Sequence, residues 1–230
     1  MAARADIFTD SYEPCTYMAV CKDGKMGELQ KVSFGTKVAE LVGDADVKAI
    51  AIGTKLYDAS AMDLVIEADT QIGNGVITVY SSKCCMMHET EEVLLAERKQ
   101  SCGKCTFCRE GLIQLHTMVK EITEGQGKKE FTDMMEEIGE AMTFSTPCTM
   151  GQTASDFAMG SLKYFAGEYE DHIKKKKCAN NVCSAFMSIY IAPDLCEGCE
   201  ECADVCPADA IEGKSGYIHM IDEFECTKCG

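Results

Sequence analysis

Cys196-x-x-Cys199-x-x-Cys202-x-x-x-Cys206-Pro207 spaces four thiols so that one tight loop can wrap a cuboidal [4Fe–4S] cluster. The fourth cysteine of such a run normally reaches across to a second cluster. A second run opens at Cys226-x-x-Cys229, just before the last residue of the sequence, Gly230. The expectation is that Cys196, Cys199 and Cys202 hold one cluster and Cys206, Cys226 and Cys229 another. Each set would be completed by a ligand beyond residue 230. A third motif, Cys102-x-x-Cys105-x-x-Cys108, stands directly before a helical pattern. Backbone amides and the positive dipole at a helix start favour thiolates. The simplest fourth ligand there is Cys148, in Ser145-Thr146-Pro147-Cys148. Four cysteines also suit zinc, which is the alternative, but the close C-x-x-C-x-x-C packing favours a cuboidal cluster. Bound clusters move single electrons, so the motifs describe a relay.

The elements that must position these cysteines read as an α+β chain. Residues 1–30 carry no clear pattern and are expected to form an N-terminal extension that docks on a neighbour. Residues 31–88 read as a small β-grasp unit. Strands are expected at 31–34, at 47–52 ending on Gly53, at 64–67, and at 76–80 after a Gly-Asn-Gly turn, with a short helix at 36–42. Residues 89–177 turn helical, with a polar-faced helix over 91–99 and apolar positions at helical spacing over 109–124, 131–142 and 153–173, a four-helix bundle. Residues 178–230 form a ferredoxin-type unit whose second cluster run is cut short at residue 230.

Composition narrows the function. Sixteen cysteines in 230 residues, with no apolar leader in the first ten, predict a reducing, cytoplasmic setting where thiols serve metals. The net charge of −16 argues against nucleic acid and anionic membrane as partners, and no apolar run is long enough to span a bilayer. No G-x-G-x-x-G and no phosphate-binding P-loop occurs. The chain is therefore expected to have no nucleotide or flavin site of its own and to depend on a partner that has one.

Residues 101–111, the strand Gly75-Val-Ile-Thr-Val and the later Cys148 resemble the C-terminal half of the NADH-binding, flavin-containing subunit of respiratory complex I. They are more similar still to the beta subunit of electron-bifurcating [FeFe] hydrogenases and related NAD-linked formate dehydrogenases. That family continues, as here, through His-x5-Cys-x4-Cys into a two-cluster ferredoxin domain. The resemblance covers about residues 20–230. It implies a soluble-ligand-binding (SLBB-like) β-grasp domain, a four-helix iron–sulfur domain and a 2×[4Fe–4S] ferredoxin module. The family's N-terminal FMN- and NADH-binding domain is missing from these 230 residues, so direct NADH oxidation is not carried over.

His172-x5-Cys178-x4-Cys183 fits no cluster spacing but suits tetrahedral zinc. Cys85 is the first choice for a fourth ligand, with Cys84 and His88 as alternates. The similar hydrogenase subunits are thought to carry such a zinc at the hinge to the ferredoxin arm. The bland reading makes His172 a helix-end residue and the cysteines small buried hydrophobes. Cys15 and Cys21 read as buried thiols, His116 as a surface or core residue, the spaced methionines as core filler, and 174–177 as a basic helix end. His219 is read as a hydrogen-bonding residue near a cluster.

The function this supports is an electron-transfer subunit of a multi-subunit NAD(P)- or ferredoxin-linked oxidoreductase. Hydrogenase, formate dehydrogenase or transhydrogenase complexes of an anaerobe, electron-bifurcating ones included, are the candidates. The expected partners are a flavoprotein that oxidises NAD(P)H, and ferredoxin or another iron–sulfur subunit. Two alternatives are a zinc-bearing structural adaptor and an enzyme that uses one cluster catalytically.

Overall fold

The structure is a computed structural model that describes residues 14–22, 24–187 and 189–229. Residues 1–13 of the expected extension lie outside the described residues. The remainder of that segment opens the sheet. Strand β1 (Cys15–Lys22) pairs antiparallel with β2 (Lys25–Met26) and β3 (Gln30–Ser33) on one side. Met18, Ala19 and Val20 are buried in succession. With both faces covered, β1 lacks the apolar–polar alternation that marks a half-exposed strand.

Helix α1 (Val38–Val42) leads to β4 (Ala49–Ile52) and β5 (Lys55–Asp58), joined by a two-residue turn at Gly53 and Thr54. Gly53 has φ of +61°, and a Cβ there would meet the Gly73 backbone at 2.9 Å, so two chain segments cross where only glycines fit. The strand expected at 64–67 is an extended segment with a single bridge, Lys37↔Val65, flanking α1. Strand β6 (Val76–Tyr80) closes the sheet, running parallel to β1 and antiparallel to β4. The path is β2-β1-β6-β4-β5, with β3 also on β1.

β4 is buried at all four positions, and its two faces serve different cores. Ile50 and Ile52 pack with Met18, Val38, Ile66 and Ile77 on the α1 side. Ala49 and Ala51, with Leu56 of β5, join the core of the helical region. Small residues suit that face because a helix lies directly on it.

That region comprises α2 (Met86–Gln100), α3 (Thr106–Thr123), α4 (Phe131–Ser145), α5 (Thr149–Thr153), α6 (Asp156–Tyr164) and α7 (Ala166–Ile173). α2 begins at Met86, so a boundary between 88 and 89 cuts its first turn. The single helix expected over 153–173 is three pieces, broken at Ala154–Ser155 and at Phe165, which leaves helical geometry at φ −121° and ψ 28°. Phe157, Leu162, Tyr169 and His172 keep inward spacing across the second break, so periodicity carries no sign of it. α6 rests on β5 through Gly160, where any Cβ would collide with the Leu56 carbonyl oxygen. Thr54 donates to Asp156 Oδ2 at 3.1 Å, and Tyr80 meets Phe157 edge-on at 5.9 Å across the same seam. One face of the sheet thus shares its core with the helices.

Beyond α7 the chain is sparse in regular structure. It has α8 (Glu201–Asp204) and a small antiparallel ladder of β7 (Ile211–Glu212) with β8 (Met220–Ile221).

Candidate metal centres

Cys105 is the N-cap of α3 and Cys148 the N-cap of the short α5. Cys108 lies one turn into α3 and is buried, whereas Cys102 and Cys148 are exposed. Cys102, Cys105, Cys108 and Cys148, with Gln100, Ser101 and Met150, line one cavity of about 250 Å³. Cys148 therefore reaches the other three from 40 residues away. It does so because α3 and α4 pack closely at Gly111, where a Cβ would fall 2.5 Å from Met142 Sδ. Ser101 Oγ lies 3.4 Å from Cys108 Sγ and accepts from Gly103 N–H. Arg109 Nη1 donates to the Gly103 carbonyl at 2.9 Å, tying the cysteine loop to α3. Neighbouring hydroxyls and amides of this kind tune a cluster's potential. Thiol spacing alone does not select Ser101 as a supporting residue, although its place at the head of the cysteine motif marks it.

A second site forms at the junction of β6, α2 and α7. Among the described residues, Cys85, His172, Cys178 and Cys183 alone gather their ligand atoms within 4.8 Å of one another, and all four are buried. Cys85 Sγ lies 3.5 Å from His172 Nε2 and 3.7 Å from Cys183 Sγ, and Cys183 Sγ lies 3.4 Å from His172 Nε2. A tetrahedron with about 2.3 Å zinc–sulfur and 2.0–2.1 Å zinc–nitrogen bonds has edges of about 3.8 Å and about 3.5 Å. The site matches single-ion spacing, whereas the cysteines around Cys105 line a wider cavity. Cys84, an alternate fourth ligand, turns instead to the Ser81 hydroxyl at 3.8 Å.

The surroundings orient the site. His172 Nδ1 donates to the Glu168 carbonyl at 2.8 Å, which turns Nε2 toward the sulfurs. Glu168 also accepts from Met86 N–H at 2.9 Å and pairs with Lys48 at 2.7 Å. Lys48 donates further to the Cys84 carbonyl at 2.6 Å. The Cys183 thiol, by donating to Cys85, and then His172 hold Cys85 down at about 3, while Cys183 itself is pushed well up by Cys85 and by burial. Burial alone would lower His172, but the Cys85 sulfur and the Glu168 carbonyl outweigh it and lift the imidazole to about 9. Three sulfurs this close call for positive charge among them, a proton or a cation. Sequence reading overlooks Glu168 and Lys48. Glu168 stands four residues before His172 on one helix face, a spacing that could have flagged it.

In the arm, Cys199 and Cys229 are exposed and Cys196, Cys202, Cys206 and Cys226 half-buried. Backbone amides already point at two sulfurs. Ala210 N–H donates to Cys206 Sγ at 3.3 Å and His219 N–H to Cys196 Sγ at 3.5 Å. From 189 to 229 only Gly198, Ala210 and His219 are buried. Leu195, Val205 and Phe224 stand 82%, 78% and 99% exposed. An arm with so little apolar burial is suited to being organised around clusters.

His116 is buried on α3, where Arg98 donates to its Nδ1 at 2.7 Å. Burial first, then Arg98, lowers its pKa, so it is a neutral core residue. Cys15 and Cys21 are half-buried on β1 and join neither site. No described helix is long and apolar enough to cross a membrane.

Residues 89–172 match the NADH-ubiquinone oxidoreductase-F iron-sulfur binding region, and residues 189–212 match a 4Fe-4S binding domain. The NADP-reducing hydrogenase subunit HndC of Solidesulfovibrio fructosivorans is 35% identical over 64% of this chain and 30% of its own length. The F-type component of the NADH-quinone oxidoreductase of Streptomyces coelicolor is 30% identical over 48% of this chain and 25% of its own. The chain thus spans under a third of these curated relatives. An NAD+-reducing [NiFe]-hydrogenase structure in the H2-reduced state superposes with a TM-score of 0.64 at 18% identity, over 70% of this chain and 29% of that one.

Proposed function

We propose that this iron–sulfur chain, a relative of NADH-quinone oxidoreductase F and of hydrogenase subunit HndC, is an electron-transfer subunit of a larger oxidoreductase. A [4Fe–4S] cluster supplies one-electron transfer when bound. In this reading Cys102, Cys105, Cys108 and Cys148 hold one cluster. Cys196, Cys199 and Cys202 contribute to a second, and Cys206, Cys226 and Cys229 to a third. The observation that carries the proposal is Cys148 lining the same cavity as Cys102, Cys105 and Cys108, within the matched iron–sulfur region.

The chain's own residues hold and insulate these sites. Ser101 and the start of α3 support the thiolates of the helical site. Cys85, His172, Cys178 and Cys183 would hold a structural zinc, with Glu168 and Lys48 fixing the His172 ring, and this site would join sheet, helices and arm. The order β2-β1-β6-β4-β5, with β1 and β6 paired in parallel inside it, supports a β-grasp of the SLBB-like kind. The proposed domain division, 31–88, a helical-bundle unit to 177 and the ferredoxin-type unit from 178, then gains β1 in the first unit and moves its first boundary back to the start of α2 at Met86.

The partners would be a flavoprotein that oxidises NAD(P)H and ferredoxin or a further iron–sulfur subunit. The complex would be of hydrogenase, formate dehydrogenase or transhydrogenase type, in the cytoplasm of an anaerobe. The test is iron, sulfide and zinc per chain on the anaerobically purified complex, corrected for partners. About twelve irons and one zinc are expected for three cuboidal clusters and one tetrahedral site. About four irons would leave the arm empty and turn the reading toward a zinc-bearing adaptor. Catalysis of flavin-free NAD(P)H oxidation by the reconstituted chain would overturn the subunit role.

A further inference from the structure

His219 is 2% exposed, and neither ring nitrogen has a hydrogen-bond partner among the described residues. No other buried side-chain nitrogen or oxygen in the described residues is left so. An unpaired buried polar group forfeits its hydrogen bonds to water, so native structures rarely keep one without a partner such as water, an ion or a cofactor. The surroundings offer no apolar core that would explain burying the ring as filler, because Gly198 and Ala210 are the only other buried residues between 189 and 229. The ring lies instead against the Gly213 backbone, where any Cβ would collide with it. The residue's own N–H points at Cys196 Sγ at 3.5 Å, which sets His219 beside the first thiolate of the Cys196 run.

We propose that the His219 imidazole donates a hydrogen bond to a sulfur of the cluster held by Cys196, Cys199 and Cys202, and so raises that centre's reduction potential. The inference rests on the cluster assignment above and adds a residue outside the cysteine motifs. The sulfides and thiolates of a cluster are the acceptors such an arm is built to enclose. Reduction adds an electron to them, and an N–H donor stabilises that added charge, favouring the reduced state. Neutral imidazole carries one N–H, enough for this bond. Gly213 leaves room for the ring, so the pairing of Gly213 with His219 is part of the device.

The test is an anaerobic redox titration of the cluster-loaded full chain, followed by electron paramagnetic resonance, comparing wild type with His219→Phe and His219→Gln. The Phe variant keeps the bulk and loses the donor, and the Gln variant keeps an N–H. Expected is a negative shift of one arm midpoint in the Phe variant, smaller or absent in the Gln variant, with the helical-site midpoint unmoved. Equal arm midpoints in all three proteins at full iron content would overturn the proposal and leave the cluster assignment standing. An arm without iron in wild type would overturn both. Should the Phe variant lose arm iron, 15N-histidine labelling of wild type decides by nuclear coupling to the reduced cluster. A weak 15N coupling with an exchangeable proton supports donation. No coupling, or the strong coupling of a directly ligating nitrogen, overturns it.

Discussion

The site around His172 and the Cys196–Cys229 arm both gather cysteines, yet they stand on opposite footings. The first lies inside a packed core: Met86, Met87, Leu94 and Tyr169 around it are at most 1% exposed. Each fully buried large apolar side chain contributes about 1.5–3 kcal/mol, so this region folds on its own packing and its ligands are already in place. The arm buries three residues between 189 and 229 and leaves Leu195, Val205 and Phe224 in water. There, in the proposed reading, bound clusters take the place of a core. On that reading the same residue type thus plays two parts, completing a structure in one region and creating it in the other.

The sharpest break in this contrast would come from removing iron. Amide exchange of the apo chain should show residues 189–229 losing protection by orders of magnitude while α2, α3 and α4 keep theirs. Equal protection of both regions would erase the distinction. Cys183→Ser should empty the buried site of zinc and cost about 2–3 kcal/mol, a fall of roughly 5–10 °C in Tm, without unfolding the helices. Metal retention there should also decline as pH falls, because binding needs thiolates and a neutral imidazole for which protons compete. Zinc assay after dialysis at stepped pH measures both. Gly160→Ala should cost about 1–3 kcal/mol in denaturant unfolding by forcing α6 off β5 at the Leu56 carbonyl. The smallest effect is expected from Glu168→Gln, which weakens the half-buried pair with Lys48 but keeps an acceptor for Met86 N–H. A loss of about 1 kcal/mol in a thermal scan is expected. Loss of zinc on that change would mean that Glu168 sustains the site far more than its hydrogen bonds suggest.

Much of the chemistry is legible without coordinates, because cluster ligation depends on short spacings that a single loop satisfies. Cys102-x-x-Cys105-x-x-Cys108 and the Cys196 run announce themselves in this way, and so does the long periodic α3. Weaker signals fail where burial removes them. β1 and the four-residue β5 escape a reading by pattern, since a strand covered on both faces has no alternation and a short one has too few positions to show it.

The sequence by itself determined which cysteines stand at cluster-ligand spacing and that the helical and arm regions differ, since thiol spacing and apolar periodicity are local properties. Only the tertiary structure decided how distant ligands meet. Cys148 joins Cys105 because α3 and α4 pack closely at Gly111. Cys85, and not Cys84 beside it, faces His172, because the chain turns from β6 into α2 there and neighbouring side chains point to different sides. That His219 is buried against Gly213, with neither ring nitrogen partnered among the described residues, is likewise set by the fold of the arm. Contacts across 40 to 100 residues depend on the balance of packing over the whole core, which no local pattern encodes.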